Sequence, residues 1–253
     1  RPDPRESFYS APVGVLRGLH PCVCCFDALM RHLHDGSDGE ALARKKSWEH
    51  PREAAVDPEV SFFVGWESPD RDLGRYVTRG FIGSFTPRPF QPALADYSVR
   101  AASQDPKFWG LGWAQVPGTR CRVIVITNFE VAQSGEDWLS NRHGLFLSAS
   151  DGAGRQFESA VFPDTIHQAR WNKKQAVEAL FREAKCCKST GGSFSWIPWA
   201  ATVPPLPPHA NGRTASNFRV GLHSVLLFRF ETVSFRMHFR KYQRAKTRRG
   251  PPL

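Results

Sequence analysis

The stretch from Cys121 to Glu130 constrains the fold most, because its centre is apolar without interruption. Successive residues of a strand point to opposite faces, so Val123–Ile126 would carry apolar side chains on both faces. A strand of this kind lies inside a sheet that is covered on both sides. The sequence therefore predicts a central strand with packed layers against each face.

The spacing of apolar residues predicts the remaining elements. Helical spacing indicates one helix over Pro21–His34, a second from Pro92 with Asp105 as its stop, and a third that buries one face. The buried face of the third is Ala176, Val177, Leu180, Phe181 and Ala184. The other predicted strands are Val60–Trp66, a hairpin of Leu145–Ala149 with Arg155–Val161, the apolar stretch Phe218–Phe230 and the alternating stretch Thr232–Arg240.

Two glycines three residues apart follow an arginine in the stretch Thr78–Phe85. Glycine lets other atoms approach the backbone closely, and Arg79 could present its guanidinium to a carboxylate or phosphate. The alternative is an irregular strand with a bulge, packed by Phe81, Ile82 and Phe85. Both interpretations remain open from the residues alone.

Several dispersed motifs resemble the AMMECR domain family. They are Phe62-Phe63-Val64-x-Trp66, Arg79-Gly80-x-Ile82-Gly83-Ser84-Phe85, the segment Leu94 to Asp105, Thr127-Asn128-Phe129-Glu130, and Asp137-Trp138 followed by His143-Gly144. The family signature has a leucine where this chain has Thr78 and a cysteine where it has Phe81. We therefore expect no thiol chemistry at this position and a mostly buried Phe81.

The resemblance implies an α+β fold, a mixed β-sheet with flanking helices in two unequal lobes. The family-like domain is expected over 21–242. Composition adds an irregular leader at residues 1–20, a Pro-rich insertion at about 191–217 that interrupts the domain, and a basic tail over 243–253. Family members are nuclear or cytosolic in eukaryotes, so we expect this protein to be located in the cytoplasm or the nucleus. In prokaryotes they are often encoded beside MEMO-type and radical-SAM proteins, which implies a modification pathway with RNA as one candidate substrate and those proteins as candidate partners.

Candidate site residues lie beside strand ends and glycine bends, where polar groups gather around pockets. The candidates for ligand binding are Arg79, Gly80, Gly83 and Asn128. The candidates for catalysis are His143, which could move a proton near neutral pH, and Glu130, which could orient the His143 ring. Each has a structural alternative: Asn128 capping a turn, Glu130 as a solvated charge, His143 at the start of a strand. We expect Arg79 and His143 to line one cavity.

The charge is concentrated at one end of the chain. The net charge is +10, yet Glu231 is the only acidic residue after Ala184. An exposed basic strand running into a flexible tail would attract nucleic acid or another polyanion through Arg236, Arg240, Lys241, Arg244, Lys246, Arg248 and Arg249. The alternatives are a solubilising tail, and a protein-interaction scaffold that uses the Pro-rich insertion.

The six cysteines favour reduced thiols over a disulfide framework, because four of them form two adjacent pairs, Cys24-Cys25 and Cys186-Cys187. A zinc site from Cys22, Cys24, Cys186 and Cys187 would have a spacing that matches no common zinc motif, so no metal is predicted. No apolar run is long enough to span a membrane. The hypotheses are therefore a ligand-binding or catalytic domain, a nucleic-acid-binding module and an interaction scaffold.

Overall fold

The structure is a computed structural model that describes residues 20–35, 57–70, 72–108, 110–151, 154–189 and 222–248. The helices are α1 (Pro21–Asp35), α2 (Phe90–Ser103), α3 (Pro163–Ala169), α4 (Lys173–Ser189) and α5 (Phe239–Arg248), with a 3₁₀ helix at Trp113–Gly118. The strands are β1 (Glu59–Asp70), β2 (Arg75–Pro89), β3 (Arg120–Val131), β4 (Gly144–Asp151), β5 (Gln156–Val161) and β6 (Leu222–His238).

The six strands form one sheet in the order β2-β1-β3-β6-β4-β5. The pairs β1–β2, β1–β3, β4–β5 and β4–β6 are antiparallel, where a mixed sheet was expected. With its flanking helices the chain is an α+β protein, which confirms the expected class. The predicted central strand is β3, and Val123–Ile126 are buried.

The chain divides into two compact units. The flanking unit holds the described residues of 20–125 and 233–248, and the central unit holds those of 126–189 and 222–232. β3 and β6 contribute residues to both units.

Aromatic packing organises the flanking unit. Phe26 on α1 meets the edge of Trp66 on β1 with ring centroids 5.0 Å apart, and both rings are fully buried. The Trp66 indole N–H donates to the carbonyl of Ser98 on α2 at 2.8 Å, so the buried nitrogen is satisfied. The helix predicted at Pro21–His34 is confirmed because its apolar face packs in this core.

α2 begins at Phe90, two residues before the predicted start at Pro92. The proline lies in the first turn, where backbone N–H groups have no intrahelical acceptor, so its missing donor costs little. The side chains predicted to face inward are all buried: Leu94, Tyr97, Ala101 and Ala102.

The central unit builds its core between the β4–β5 hairpin and the helices α3 and α4. The pairing of Leu145 with Val161 through Ser150 with Gln156 confirms the predicted hairpin. The α4 residues Ala176, Leu180 and Ala184 are buried as predicted, and Trp138 is buried in the same cluster. The sequence had not indicated α3, a short helix of seven residues.

The C-terminal segment differs from the expected strand and flexible tail. β6 runs without a break from Leu222 to His238, which joins the described part of the predicted strand Phe218–Phe230 to the predicted strand Thr232–Arg240, and Phe239–Arg248 is a helix. The predicted flexible tail is therefore wrong for 243–248, and the boundary expected at 243 falls inside α5. The helix forms because Phe239 and Tyr242 are both buried, which a helical spacing of three allows. Residues 1–19 of the predicted leader at 1–20, the Pro-rich insertion and residues 249–253 lie outside the described residues.

Candidate functional site

Asn128 lies within β3 and has a backbone φ of 49°, which is in the left-handed region. Asparagine is among the few residues other than glycine that adopt this conformation readily. Its side-chain amide donates a hydrogen bond to Glu231 Oε1 on β6 at 3.1 Å. The turned backbone thus aims the Asn128 amide at a carboxylate on another strand.

Glu231 is the centre of a polar group that we call the Glu231 cluster, made of Asn128, Arg142, His143 and Glu231. The Arg142 guanidinium reaches Glu231 Oε1 at 2.7 Å, and His143 Nε2 lies 3.9 Å from the same oxygen. Side-chain exposure is 22% for Glu231, 12% for His143 and 58% for Arg142, so the cluster opens at the protein surface. Hydrogen bonding from Arg142 is the main cause of a lowered pKa of Glu231, followed by the Asn128 contact, while burial opposes it.

The His143 ring is held in one tautomer. The backbone N–H of Leu139 donates to His143 Nδ1 at 3.0 Å, so Nδ1 is unprotonated and the hydrogen of the neutral ring is on Nε2. Burial lowers the pKa of His143, and the positive charge of Arg229 lowers it further. The neutral ring therefore offers an N–H donor at Nε2, towards Glu231.

A second group of charges surrounds Arg229 on β6. Arg229 donates to Glu130 Oε2 at 2.9 Å and to Asp137 Oδ1 at 2.5 Å, and it also bonds the Asp137 carbonyl. Glu130 was expected to orient His143, whereas the structure pairs it with Arg229. Glu231 is the carboxylate that lies within 4 Å of the His143 ring.

Gly80 and Gly83, of the Arg-Gly-x-Ile-Gly motif, lie in β2 of the flanking unit, where backbone packing accounts for both glycines. A Cβ atom at Gly80 would stand 1.7 Å from the Ala101 carbonyl oxygen, and one at Gly83 would stand 2.3 Å from the Phe62 carbonyl oxygen. Arg79 is exposed and donates to Ser68 Oγ at 2.6 Å. That Arg79 and His143 line one cavity stays a prediction.

Phe81, at the position of the family cysteine, is partly buried. Its ring stacks on Phe63 with centroids 5.3 Å apart, and its backbone N–H donates to Asp105 Oδ2 at 2.7 Å. A phenyl ring here supports the packing of β1 against β2 and offers no nucleophile.

Three thiols are buried and lie close together: Cys22 and Cys25 on α1, and Cys121 on β3. Burial raises the pKa of Cys121 well above its ordinary value, so this thiol stays protonated at neutral pH. The side chains of Cys186 and Cys187 lie outside what the structure describes. Within the described ranges, no three His, Cys, Asp or Glu side chains are grouped to hold a metal ion.

The basic residues near the C-terminus are arranged on β6 and α5. Arg236, Arg240, Lys241, Arg244 and Lys246 are exposed. Lys246 forms an ion pair with Asp27 at 2.8 Å, Arg248 ends α5, and Arg249 lies outside the described residues.

The sequence analysis named Asn128, Glu130 and His143 as candidates and did not name the residues that contact them in the structure, which are Arg142, Glu231, Arg229 and Asp137. One signal for Glu231 was present, because it is the only acid after Ala184 and follows an apolar stretch. A lone carboxylate in such a strand requires a partner or solvent, which makes it worth testing as a site residue.

The fold and the cluster together define an α+β domain with a partly buried polar site on its central unit. The AMMECR1 family model matches residues 22–193, which is more than half of the chain, and the chain therefore belongs to this family. The expectation drawn from the dispersed motifs is confirmed.

The proteins that this chain resembles are themselves uncharacterised. An uncharacterised protein of Arabidopsis thaliana is 26% identical over 163 residues, covering 64% of this chain and 70% of that protein. An uncharacterised protein of Schizosaccharomyces pombe is 26% identical over 163 residues, covering 64% of this chain and 78% of that protein. The crystal structure of an uncharacterised Pyrococcus horikoshii protein matches with a TM-score of 0.58 and 15% identity, covering 86% of this chain and 90% of that one, which shows the fold alone.

Across the described part of the chain, no helix has the length and apolar character needed to cross a bilayer.

Proposed function

We propose that this protein is a ligand-binding or catalytic domain of a modification pathway, with its site at the Glu231 cluster. The proposal is carried by the conformation of Asn128. This non-glycine residue has a φ of 49° inside a strand, and its side-chain amide donates a hydrogen bond to Glu231. Backbone in sparsely populated regions is kept where the surroundings enforce it, and such positions gather at functional sites.

The chemistry of the cluster favours a small planar ligand with both hydrogen-bond donors and acceptors, such as an amide or a nucleobase. Arg142 and His143 Nε2 supply donors, and the Glu231 carboxylate supplies acceptors beside them. A nucleobase edge presents the complementary mixture, which agrees with RNA as a candidate substrate of the pathway.

The geometry supports a particular role for His143. Because Leu139 N–H occupies Nδ1, taking up a proton there would break that hydrogen bond. His143 would therefore act as a donor that polarises a ligand oxygen through Nε2–H, in preference to acting as a general base.

The test is differential scanning fluorimetry with the four ribonucleosides and nicotinamide as probes. We compare the wild type with Glu231→Gln, which keeps the shape and removes the acceptor charge. The matched control is Glu183→Gln on the exposed side of α4. At a hundredfold excess over Kd a bound probe stabilises the protein by about 2.7 kcal/mol, or roughly 5–10 °C in Tm.

We expect at least one probe to raise the Tm of the wild type and of the control, and to leave Glu231→Gln unchanged. If all five probes leave the wild type unaffected, the ligand class is wrong. If a probe shifts Glu231→Gln as much as the wild type, the site is elsewhere.

A further inference from the structure

We propose that the end of β6 and the outer face of α5 form a binding surface for the phosphate backbone of a nucleic acid. This surface, which we call the basic surface, consists of Arg236, Arg240, Lys241 and Arg244. It lies in the flanking unit, whereas the Glu231 cluster lies in the central unit, so the proposal stands independently of the proposed function.

α5 is anchored by one face. Tyr242 is buried, stacks on Phe26 of α1 with centroids 5.0 Å apart, and donates its hydroxyl hydrogen to Asp27 Oδ1 at 2.7 Å. Phe239 is buried beside it, and Lys246 is paired with Asp27 at 2.8 Å. Burial is the main reason that the pKa of Tyr242 is raised, so this contact persists across the neutral range.

The opposite face of α5 carries the unneutralised charges. Residues 239, 242 and 246 share the anchored side, so the helical repeat places Arg240, Lys241 and Arg244 on the other side, where all three are exposed. Among the described residues no carboxylate pairs with any of these three side chains. Lys246, in contrast, is already engaged by Asp27, which removes it from the surface that the sequence predicted.

The charge extends onto the strand that precedes the helix. Arg236 is exposed on β6, and no acidic residue occurs anywhere from Thr232 to Thr247. His238 lies between, with Nδ1 3.2 Å from the Tyr76 hydroxyl oxygen. The charged side chains of this segment are therefore all basic, and such a concentration of one sign raises the local concentration of a polyanion.

A nucleic acid fits this surface better than a membrane. A helix that binds a lipid surface needs an exposed apolar face, and α5 has buried its aromatic residues inside the protein. The exposed residues of α5 are all polar: Arg240, Lys241, Gln243, Arg244, Lys246 and Thr247. Arg and Lys side chains of this kind bind phosphates and carry no sequence preference.

The experiment measures binding of a fluorescent single-stranded RNA oligonucleotide by anisotropy at several salt concentrations. The test variant neutralises three surface charges, Arg240→Gln, Lys241→Gln and Arg244→Gln. A matched variant makes the same charge change on exposed residues of the central unit: Arg170→Gln, Lys174→Gln and Arg182→Gln. In two separate experiments, binding of the wild type to poly-glutamate and to vesicles of anionic phospholipid is measured.

We expect the wild type to bind the RNA with a strong salt dependence. If three phosphate contacts are lost, the slope of log K against log salt should fall by about 2, and affinity at 0.1 M salt should fall by about 100-fold. The matched variant should bind within about twofold of the wild type, because it leaves every residue of the basic surface unchanged. Both variants should keep the wild-type circular dichroism spectrum and Tm, since every altered side chain is exposed.

Any of four results would overturn the proposal. They are absent RNA binding by the wild type, binding that does not weaken with salt, equal affinity of wild type and test variant, and equal losses in both variants. Binding to poly-glutamate or to vesicles with no binding to RNA would assign the surface to a different partner.

Discussion

The close approach of β2 to α2 makes Gly80 the position most sensitive to a small substitution. An alanine Cβ at Gly80 would lie 1.7 Å from the Ala101 carbonyl oxygen and 2.7 Å from its carbon. Real Cβ atoms essentially never approach closer than 3.0 Å, so α2 would have to move away by about 1.3 Å. The obstacle is main chain, so no change of rotamer can relieve it.

The cost of that movement follows from what α2 holds in place. The helix buries Leu94, Tyr97 and Ala101, and its Ser98 carbonyl accepts the Trp66 indole N–H. Displacing it weakens all of these contacts together. We expect Gly80→Ala to lower the free energy of unfolding by about 3 kcal/mol, the upper end of the range for overpacked sites. For a chain of this size that corresponds to roughly 6–12 °C in Tm.

The assay is thermal unfolding followed by circular dichroism, with Gly112→Ala as the control. Nothing lies within 4 Å of a Cβ at Gly112, and its φ of −93° suits any residue. The control should melt at the wild-type temperature or slightly above, because alanine restricts the unfolded chain by about 0.4–1 kcal/mol. A Gly80→Ala protein that melts within about 2 °C of the wild type would refute the packing explanation of this glycine.

Three further substitutions test other contacts. Burial raises the pKa of Glu158 to about 7 from 4.5, so the folded state holds the proton more tightly and wild-type stability falls as the pH rises between these values. Glu158→Gln should therefore gain about 1–3 kcal/mol at pH 8 and little at pH 4.5, and an equal gain at both would contradict this. Phe81→Cys loses the stack on Phe63 and should cost about 1–2 kcal/mol in urea unfolding, so unchanged stability would count against it. Tyr242→Phe removes the hydrogen bond to Asp27 and should cost about 1–2 kcal/mol; an unchanged urea midpoint would show that the bond contributes nothing.

Local periodicity predicted the elements that pack one clear face. The helices at Pro21–His34 and around Leu180 were recognisable because their apolar residues recur at three and four positions. The central strand was recognisable because both its faces are apolar and both are buried. In these elements the local pattern and the tertiary environment agree, so the sequence alone was sufficient.

The end of β6 shows where such reasoning fails. Alternation from Val233 to Phe239 reads as strand throughout, yet the helix begins at Phe239. The partner that holds α5 is Asp27, which lies 215 residues earlier in the chain and bonds the Tyr242 hydroxyl. No local pattern contains a contact of that separation, and charge content alone suggested an unfolded tail.

The candidate site was predicted in part for the same physical reason. Asn128 and His143 belong to the family-like motifs, so the resemblance pointed to them, whereas Glu231 belongs to a strand whose pattern is otherwise apolar. Carboxylates at Glu130 and Glu231 are equally plausible partners for a histidine in the sequence, and only the fold decides between them. The Leu139 N–H fixes the proton of the His143 ring on Nε2, and Glu231 is the carboxylate that Nε2 faces. The role proposed for His143 therefore starts from a neutral ring whose Nε2–H lies beside the paired Glu231 carboxylate.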